Sequence, residues 1–135
     1  MKQNVLWACC AVGFGGFLGS VIRYLISTID HTFTFPFHTF LTNICGAFLI
    51  GMVFELSSQL PGISNNLILF AKTGFCGGFT TFSTFSLESC ALIENKEYLT
   101  AGTYIFSSVA VCIFGVFLGR FVIRWLCTAT KYLFA

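Results

Sequence analysis

Charge is what this sequence has least of. Five acidic and seven basic residues leave 9% of the chain charged against 56% hydrophobic, with a mean hydropathy of +0.87. That balance lies outside the range of soluble globular domains. A net charge of +2 is too small for a nucleic-acid surface. The two histidines, His31 and His38, lie in or beside one loop without a clustered set of ligands. No serine, histidine and acid fall in an arrangement that would mark an active site, so an enzyme is not expected. Seven cysteines are an odd number, and none forms a CxxC pair. This argues against a disulfide framework or a structural zinc site. Cys9, Cys10, Cys45, Cys76, Cys90, Cys112 and Cys127 fall almost wholly in apolar runs. They are expected to be buried, reduced and to act as small hydrophobes.

What the chain has is apolar length. Each crossing of a bilayer takes about 20 mostly apolar residues. Four such runs are present, Val5–Ser27, Phe37–Leu56, Leu67–Ile93 and Leu99–Cys127, separated by the polar connectors Asp30-His31-Thr32, Ser57 through Asn66 and Glu94-Asn95-Lys96-Glu97. Met1–Ala11, with Lys2 ahead of apolar residues, has a signal-like start, but the run continues to Arg23. That is too long for a signal peptide, so a retained first span is expected. No length remains for a soluble domain, and residues 1–135 read as one all-α integral membrane domain of four spans.

The third run is not a plain span. Thr73-Gly74-Phe75-Cys76-Gly77-Gly78-Phe79-Thr80-Thr81-Phe82-Ser83-Thr84-Phe85 places paired glycines and paired threonines at mid-membrane. These weaken a helix where lipid cannot replace a lost hydrogen bond. Broken backbone at that depth is tolerated where it is buried in protein, binds an ion or lines a wet cavity. Elsewhere, small residues recur at helical spacing: Gly15 and Gly19, Ala47 and Gly51, Gly115 and Gly119. Such steps let helices approach closely in lipid and favour a tight bundle without choosing a function. Gly13 through Gly19 misses the dinucleotide fingerprint, because Leu18 takes the final glycine position and no strand precedes it.

Polar side chains inside the membrane are costly, which makes each a candidate. Thr39 and Asn43 stand one turn apart in the second run. The Asn43 amide offers two N–H donors for an anion, or a bridge between helices, and spacing does not choose between them. Arg23 can snorkel to the headgroups or hold a positive potential at a pore mouth. Tyr104, Ser107, Ser108 and Cys112 recur near helical spacing in the fourth run. Thr81, Thr84 and Glu88 share a face of the third. A carboxylate is odd beside an anion path, and orienting nearby hydroxyls is its alternative use. Phe82 and Phe85 are one turn apart in a chain with 18 phenylalanines, so packing explains the spacing as well as function does. A ring edge is positive and can contact a small anion.

At these residues the sequence closely resembles the small fluoride channels known as the Fluc or CrcB family. The likeness runs through Gly15-Gly16, Gly19, Arg23 and Tyr24, then Thr42-Asn43-Ile44-Cys45-Gly46-Ala47-Phe48. It is most specific from Gly74 to Ser86. The resemblance implies a passive, fluoride-selective channel that releases cytoplasmic fluoride and protects against its toxicity. It implies an antiparallel dimer with two pores built by both subunits, each with a broken third helix, in the cytoplasmic membrane of a bacterium. By that likeness Phe82 and Phe85 are the pore phenylalanines and Asn43 the pore-facing amide. Ser83, Thr84, Tyr104 and Ser108 match polar positions along the pathway, and Arg23 and Thr39 belong to the vestibule. Cys112 stands where some relatives are expected to carry a hydroxyl. Gly77 and Thr80 match positions whose backbone carbonyls hold a structural sodium ion that is not transported. A bulky residue at Gly77 is expected to disturb the break.

Antiparallel assembly of one chain needs a weak orientation bias. Lys2, Lys72, Arg120, Arg124 and Lys131 lie toward one side and Arg23 and Lys96 toward the other. Either that bias is too weak to fix the topology, or an oppositely oriented paralogue completes the dimer. A four-helix, proton-coupled multidrug exporter is the alternative function. It needs a carboxylate deep in a span; Glu55 is near the end of the second run, Glu88 is in the third, and the first has none.

Overall fold

A computed structural model describes residues 4–29 and 34–133, with side chains through Thr130. The Asp30-His31-Thr32 connector, Lys2 and the Lys131 side chain lie outside the described residues. Helix α1, Val5–Ser27, starts where the Asn4 side chain accepts from the Leu6 amide at 3.1 Å. It ends where the Ser27 and Thr28 hydroxyls turn back onto the Tyr24 and Leu25 carbonyls. Helix α2 spans Phe37–Gln59, directly after Pro36, whose missing N–H is no loss at a helix start.

The third crossing is assembled from pieces. A short α3, Asn65–Ile68, runs into a wide-turned π-helical stretch, Leu69–Cys76, and then into α4, Gly77–Phe79. Thr80 and Thr81 are extended, and α5, Phe82–Glu94, resumes the path. Lys96, in the left-handed region at φ 64°, turns the chain into α6, Tyr98–Leu133, which runs on past the Cys127 expected as its end. Among the described residues there is no strand. Helices α1, α2 and α6 are each long and apolar enough to cross a membrane, while no piece of the third crossing is so by itself.

Two packed pairs organise the bundle. Helices α2 and α6 lie along one another, and α1 lies along the π-helical stretch and α4. The small residues make this possible. A Cβ at Gly119 would meet the Phe48 carbonyl and stand 3.0 Å from the Met52 amide, and one at Gly51 would strike the Val116 backbone. On α1, a Cβ at Gly19 would collide with the Phe75 carbonyl and lie 2.8 Å from the Phe79 amide. Such contact distances let dispersion and backbone dipoles hold helices together where lipid offers no hydrophobic driving force. Gly115 is looser, with 3.5 Å to the Ile44 carbonyl.

One expectation about the core fails. Only Cys76 is buried, whereas Cys9, Cys10 and Cys90 are exposed on the single chain, although all seven are free thiols. Their membrane position needs apolarity toward lipid, which a thiol supplies as well as it fills a core.

Candidate functional site

The site grows out of the break. Because Thr80 and Thr81 are extended, the end of one helical piece and the start of the next lack their usual partners. The Thr80 amide and hydroxyl both turn back to the Cys76 carbonyl, at 3.0 and 2.9 Å. Thr81 Oγ1 caps α5 by accepting from the Thr84 amide at 3.2 Å. The same hydroxyl donates to Thr84 Oγ1 at 2.9 Å and lies 3.3 Å from the Ser83 hydroxyl.

Asn43, from α2, clamps the break. Its Oδ1 accepts from the Thr81 amide at 2.8 Å, and its Nδ2 donates to the Thr81 carbonyl at 3.1 Å. The two readings left open by spacing are thus unequal in this chain: the amide bridges two elements, and one Nδ2 hydrogen remains for anything else. Arg23 is engaged from α1. Its Nε donates to the Gly78 carbonyl at 3.2 Å, with the Ser20 hydroxyl 3.4 Å from the same oxygen. Arg23 therefore neither simply snorkels nor stands free.

The Gly77 and Thr80 carbonyls meet no donor among the described residues. Their surroundings are open: nothing lies within 4 Å of a Cβ built at Gly77. Within this chain a Cβ at Gly77 thus meets open space. The tight glycine is Gly78, whose added Cβ would strike the Gly16 carbonyl and lie 2.9 Å from Ser20 Oγ.

Two cavities flank the clamp. One, of about 310 Å³, is lined by Arg23, Ser27, Pro36, His38, Thr39, Thr42, Thr81, Thr84 and Glu88. It joins both expected vestibule residues and is polar. The other, of about 380 Å³, is mostly apolar and runs beside Asn43, Gly46, Ala47, Ile50, Cys76, Gly77, Thr80, Phe82, Phe85, Ser108, Val109, Cys112 and Ile113. Asn43 and Thr81 stand where the two meet.

Rings and hydroxyls connect them. Phe82 and Phe85 lie 5.5 Å apart and Phe85 and Tyr104 5.2 Å apart, both pairs tilted, with Phe35 edge-on to Tyr104 at 5.3 Å. Phe85 and Tyr104 are buried, but Phe82 is 77% exposed. The Tyr104 hydroxyl donates to Glu88 Oε2 at 2.7 Å, and Thr39 donates to Oε1 at 2.8 Å. Glu88 thus orients hydroxyls from two other helices. Ser107 bonds back to the Tyr104 carbonyl at 3.4 Å. Ser108 differs: its hydroxyl is buried in the wall of the apolar cavity without a hydrogen-bond partner among the described residues. Ser83 is exposed and lines neither cavity.

Sequence reasoning missed Thr42, only 2% exposed, which turns back to the His38 and Thr39 carbonyls. It also missed the clamp between Asn43 and Thr81, 38 residues apart, for which local pattern holds no signal. A further polar set lies outside the site: Glu55, buried, accepts from Arg120 Nε at 3.0 Å and Arg124 Nε at 2.6 Å. Among the described residues, no group of three or more histidine, cysteine or acidic side chains could hold a metal.

Four apolar crossings, one broken around a clamp that is flanked by a polar and a mostly apolar cavity, define a multi-pass helical membrane protein. The model of one protein family, described as CrcB-like protein, Camphor Resistance (CrcB), matches residues 10–120. The chain belongs to that family. A protein of Chlorobium chlorochromatii named fluoride-specific ion channel FluC is 44% identical over 117 residues, covering 85% of this chain and 91% of the relative. Proteins of the same name from Methanococcus aeolicus and Phocaeicola vulgatus are 44% and 46% identical, over 81% and 78% of this chain and 89% and 88% of theirs.

Proposed function

We propose that this chain forms a fluoride-selective channel for passive efflux. The observation that carries the reading is the Ser108 hydroxyl, buried and unpartnered in an apolar wall shared with Phe82 and Phe85. An orphan donor in such a place costs about 1–3 kcal/mol unless something accepts from it. Fluoride is a small, strongly hydrated anion, and an unpaired charge in an apolar interior costs tens of kcal/mol by Born estimates. A path for it needs donors spaced between groups that do not compete. Ser108, the remaining Asn43 N–H and the positive edges of Phe82 and Phe85 supply these along one cavity. Thr84 and Arg23, in the polar cavity, would lead into it, with Thr39 beside them. Tyr104 acts from behind, holding Phe85 and spending its proton on Glu88. Ser83, exposed beside the cap, is assigned to the pathway by family likeness alone.

We infer an antiparallel dimer. An aromatic ring as exposed as Phe82 completes a pore wall only when a second subunit covers it. The unpaired Gly77 and Thr80 carbonyls suit a hard cation such as sodium, and the same two oxygens from a partner would bring the set to four. When bound, sodium would neutralise backbone dipoles and favour anions nearby. The exporter reading loses ground, because two arginines hold Glu55 and two hydroxyls occupy Glu88.

The test is efflux from liposomes loaded with potassium fluoride, read with a fluoride electrode after potassium permeability is supplied. Fluoride should leave far faster than chloride. Equal rates for the two anions, or fluoride release no faster than from protein-free vesicles, would end the channel reading; pH-driven uptake of a cationic dye would establish the exporter. Labelling of a single terminal cysteine on a cysteine-free background should reach both sides of the membrane, whereas labelling from one side alone would assign the second subunit to a paralogue.

A further inference from the structure

The side chains around Glu55 have no part in the ion path, yet they form the densest cluster of charge among the described residues. Two arginines hold one carboxylate, and a lysine stands against the neighbouring Phe54 ring. Arg120 and Arg124 each spend only the Nε–H on Glu55, at 3.0 and 2.6 Å, and their terminal amino groups meet no acceptor among the described residues. Lys72 Nζ stands 5.4 Å from the centre of the Phe54 ring and Arg120 Cζ 5.0 Å from it, so the two cations lie within about 10 Å of one another. Lys72 has no acceptor at all among the described residues. The cluster therefore carries two positive charges beyond what Glu55 cancels.

Its depth follows from the chain. About 20 residues cross the hydrocarbon core. Counted from Phe37 on α2 they end beside Glu55, and from Leu99 on α6 just before Arg120. Exposed Trp7 and Trp125 mark the same end of the bundle, and exposed Tyr24 and Tyr98 the opposite end. Such aromatic rings settle at the level of lipid headgroups. Phe54 and Leu126, exposed beside the cluster, offer apolar surface to an acyl chain.

We propose that Lys72, Arg120 and Arg124 form a seat for the phosphate of an anionic lipid headgroup, held in register by Glu55. A guanidinium whose Nε is tethered presents its terminal amino groups in a fixed direction, and phosphate accepts from that fork in pairs. The two unmatched charges select an anionic lipid over a zwitterionic one, whose own ammonium would be repelled. A free phosphate ion would share the chemistry but not the apolar surface at this depth.

The experiment purifies the protein in mixed micelles holding equal phosphatidylglycerol and phosphatidylcholine and measures retained lipid by mass spectrometry. Wild-type protein should retain phosphatidylglycerol about fivefold or more over phosphatidylcholine, and Lys72→Gln should cut that preference by about fivefold, the factor for one basic residue at a membrane surface. Glu55→Gln separates a built seat from diffuse charge: removing a negative charge raises general attraction for anions, but the amide NH2 faces one of the two arginines and untethers it. A seat predicts weaker phosphatidylglycerol retention in monodisperse Glu55→Gln protein. Stronger retention in that variant, equal retention of both lipids by wild type, or an unchanged preference in Lys72→Gln would overturn the proposal. So would inorganic phosphate raising the melting temperature in phosphatidylcholine-only micelles as much as phosphatidylglycerol does. If Glu55→Gln fails to fold, the Lys72→Gln comparison decides, since Lys72 forms no hydrogen bond that folding would lose.

Discussion

Losing the Asn43 side-chain amide should be the most damaging single change at the break, and the structure says by how much. The side chain satisfies both the N–H and the C=O of Thr81, at 2.8 and 3.1 Å, where the chain is extended and the neighbouring wall apolar. Each backbone group left unpaired in such surroundings costs about 1–3 kcal/mol. The pair together sets a loss of about 2–6 kcal/mol, an order of magnitude at least in the population of the ordered break. Asn43→Asp keeps an acceptor for the Thr81 amide but sets a charged oxygen against the Thr81 carbonyl, so while ionised it should be no milder than alanine. Acidification, by protonating that carboxyl, returns the donor and should recover part of the loss. The measurement is the melting midpoint of detergent-purified protein beside fluoride efflux from liposomes. Asn43→Ala and Asn43→Asp should each lower both, and Asn43→Asp should improve as pH falls. An unchanged midpoint with full efflux in Asn43→Ala would refute the clamp.

Phe82→Ile and Phe85→Ile should each reduce fluoride efflux severely, since an aliphatic side chain lacks the positive edge; the exposed Phe82 should cost little stability in detergent-purified protein, the buried Phe85 more. Ser108→Ala should slow efflux while leaving the melting midpoint equal to or above wild type, because the hydroxyl it removes has no partner to lose. Replacing all sodium with lithium or potassium should lower activity or dimer stability reversibly, and full function in rigorously sodium-free solution would remove sodium from the account.

Much of the fold was legible because lipid imposes one rule on every span. Apolar length located α1, α2 and the start of α6 to within a few residues but stopped six residues short of the end of α6, and Gly77-Gly78 with Thr80-Thr81 located the interruption. The π-helical stretch was not legible: Leu69–Cys76 is apolar at helical spacing, and its wide turns accompany the close seating of Gly74, whose Cβ would lie 2.7 Å from the Val12 carbonyl. At the site, residue type and run were visible but partnership was not. Glu88 had two hydroxyls on its face of α5, yet its actual donors are Thr39 and Tyr104 from other helices. Arg23 had two readings by depth, and its real acceptor, the Gly78 carbonyl, exists only because the third crossing is broken. Glu55 was weighed for proton coupling because a lone carboxylate near a span stands out; the arginines that hold it follow 65 and 69 residues later.

The length of α6 sets how this protein must sit in a membrane. Its 36 residues extend about 54 Å, whereas α1 and α2, at 23 residues each, extend about 34 Å. Against a hydrocarbon core of about 30 Å the shorter helices fit almost upright. For α6 to lie wholly within that core it would have to lean well beyond the ~40° limit seen for membrane helices. Its packing along α2 forbids such a lean. The last turns of α6 must therefore reach past the hydrocarbon core as a post. Two copies arranged head to tail would raise one post on each face, giving a reagent in the water of either compartment the same handle on the same helix.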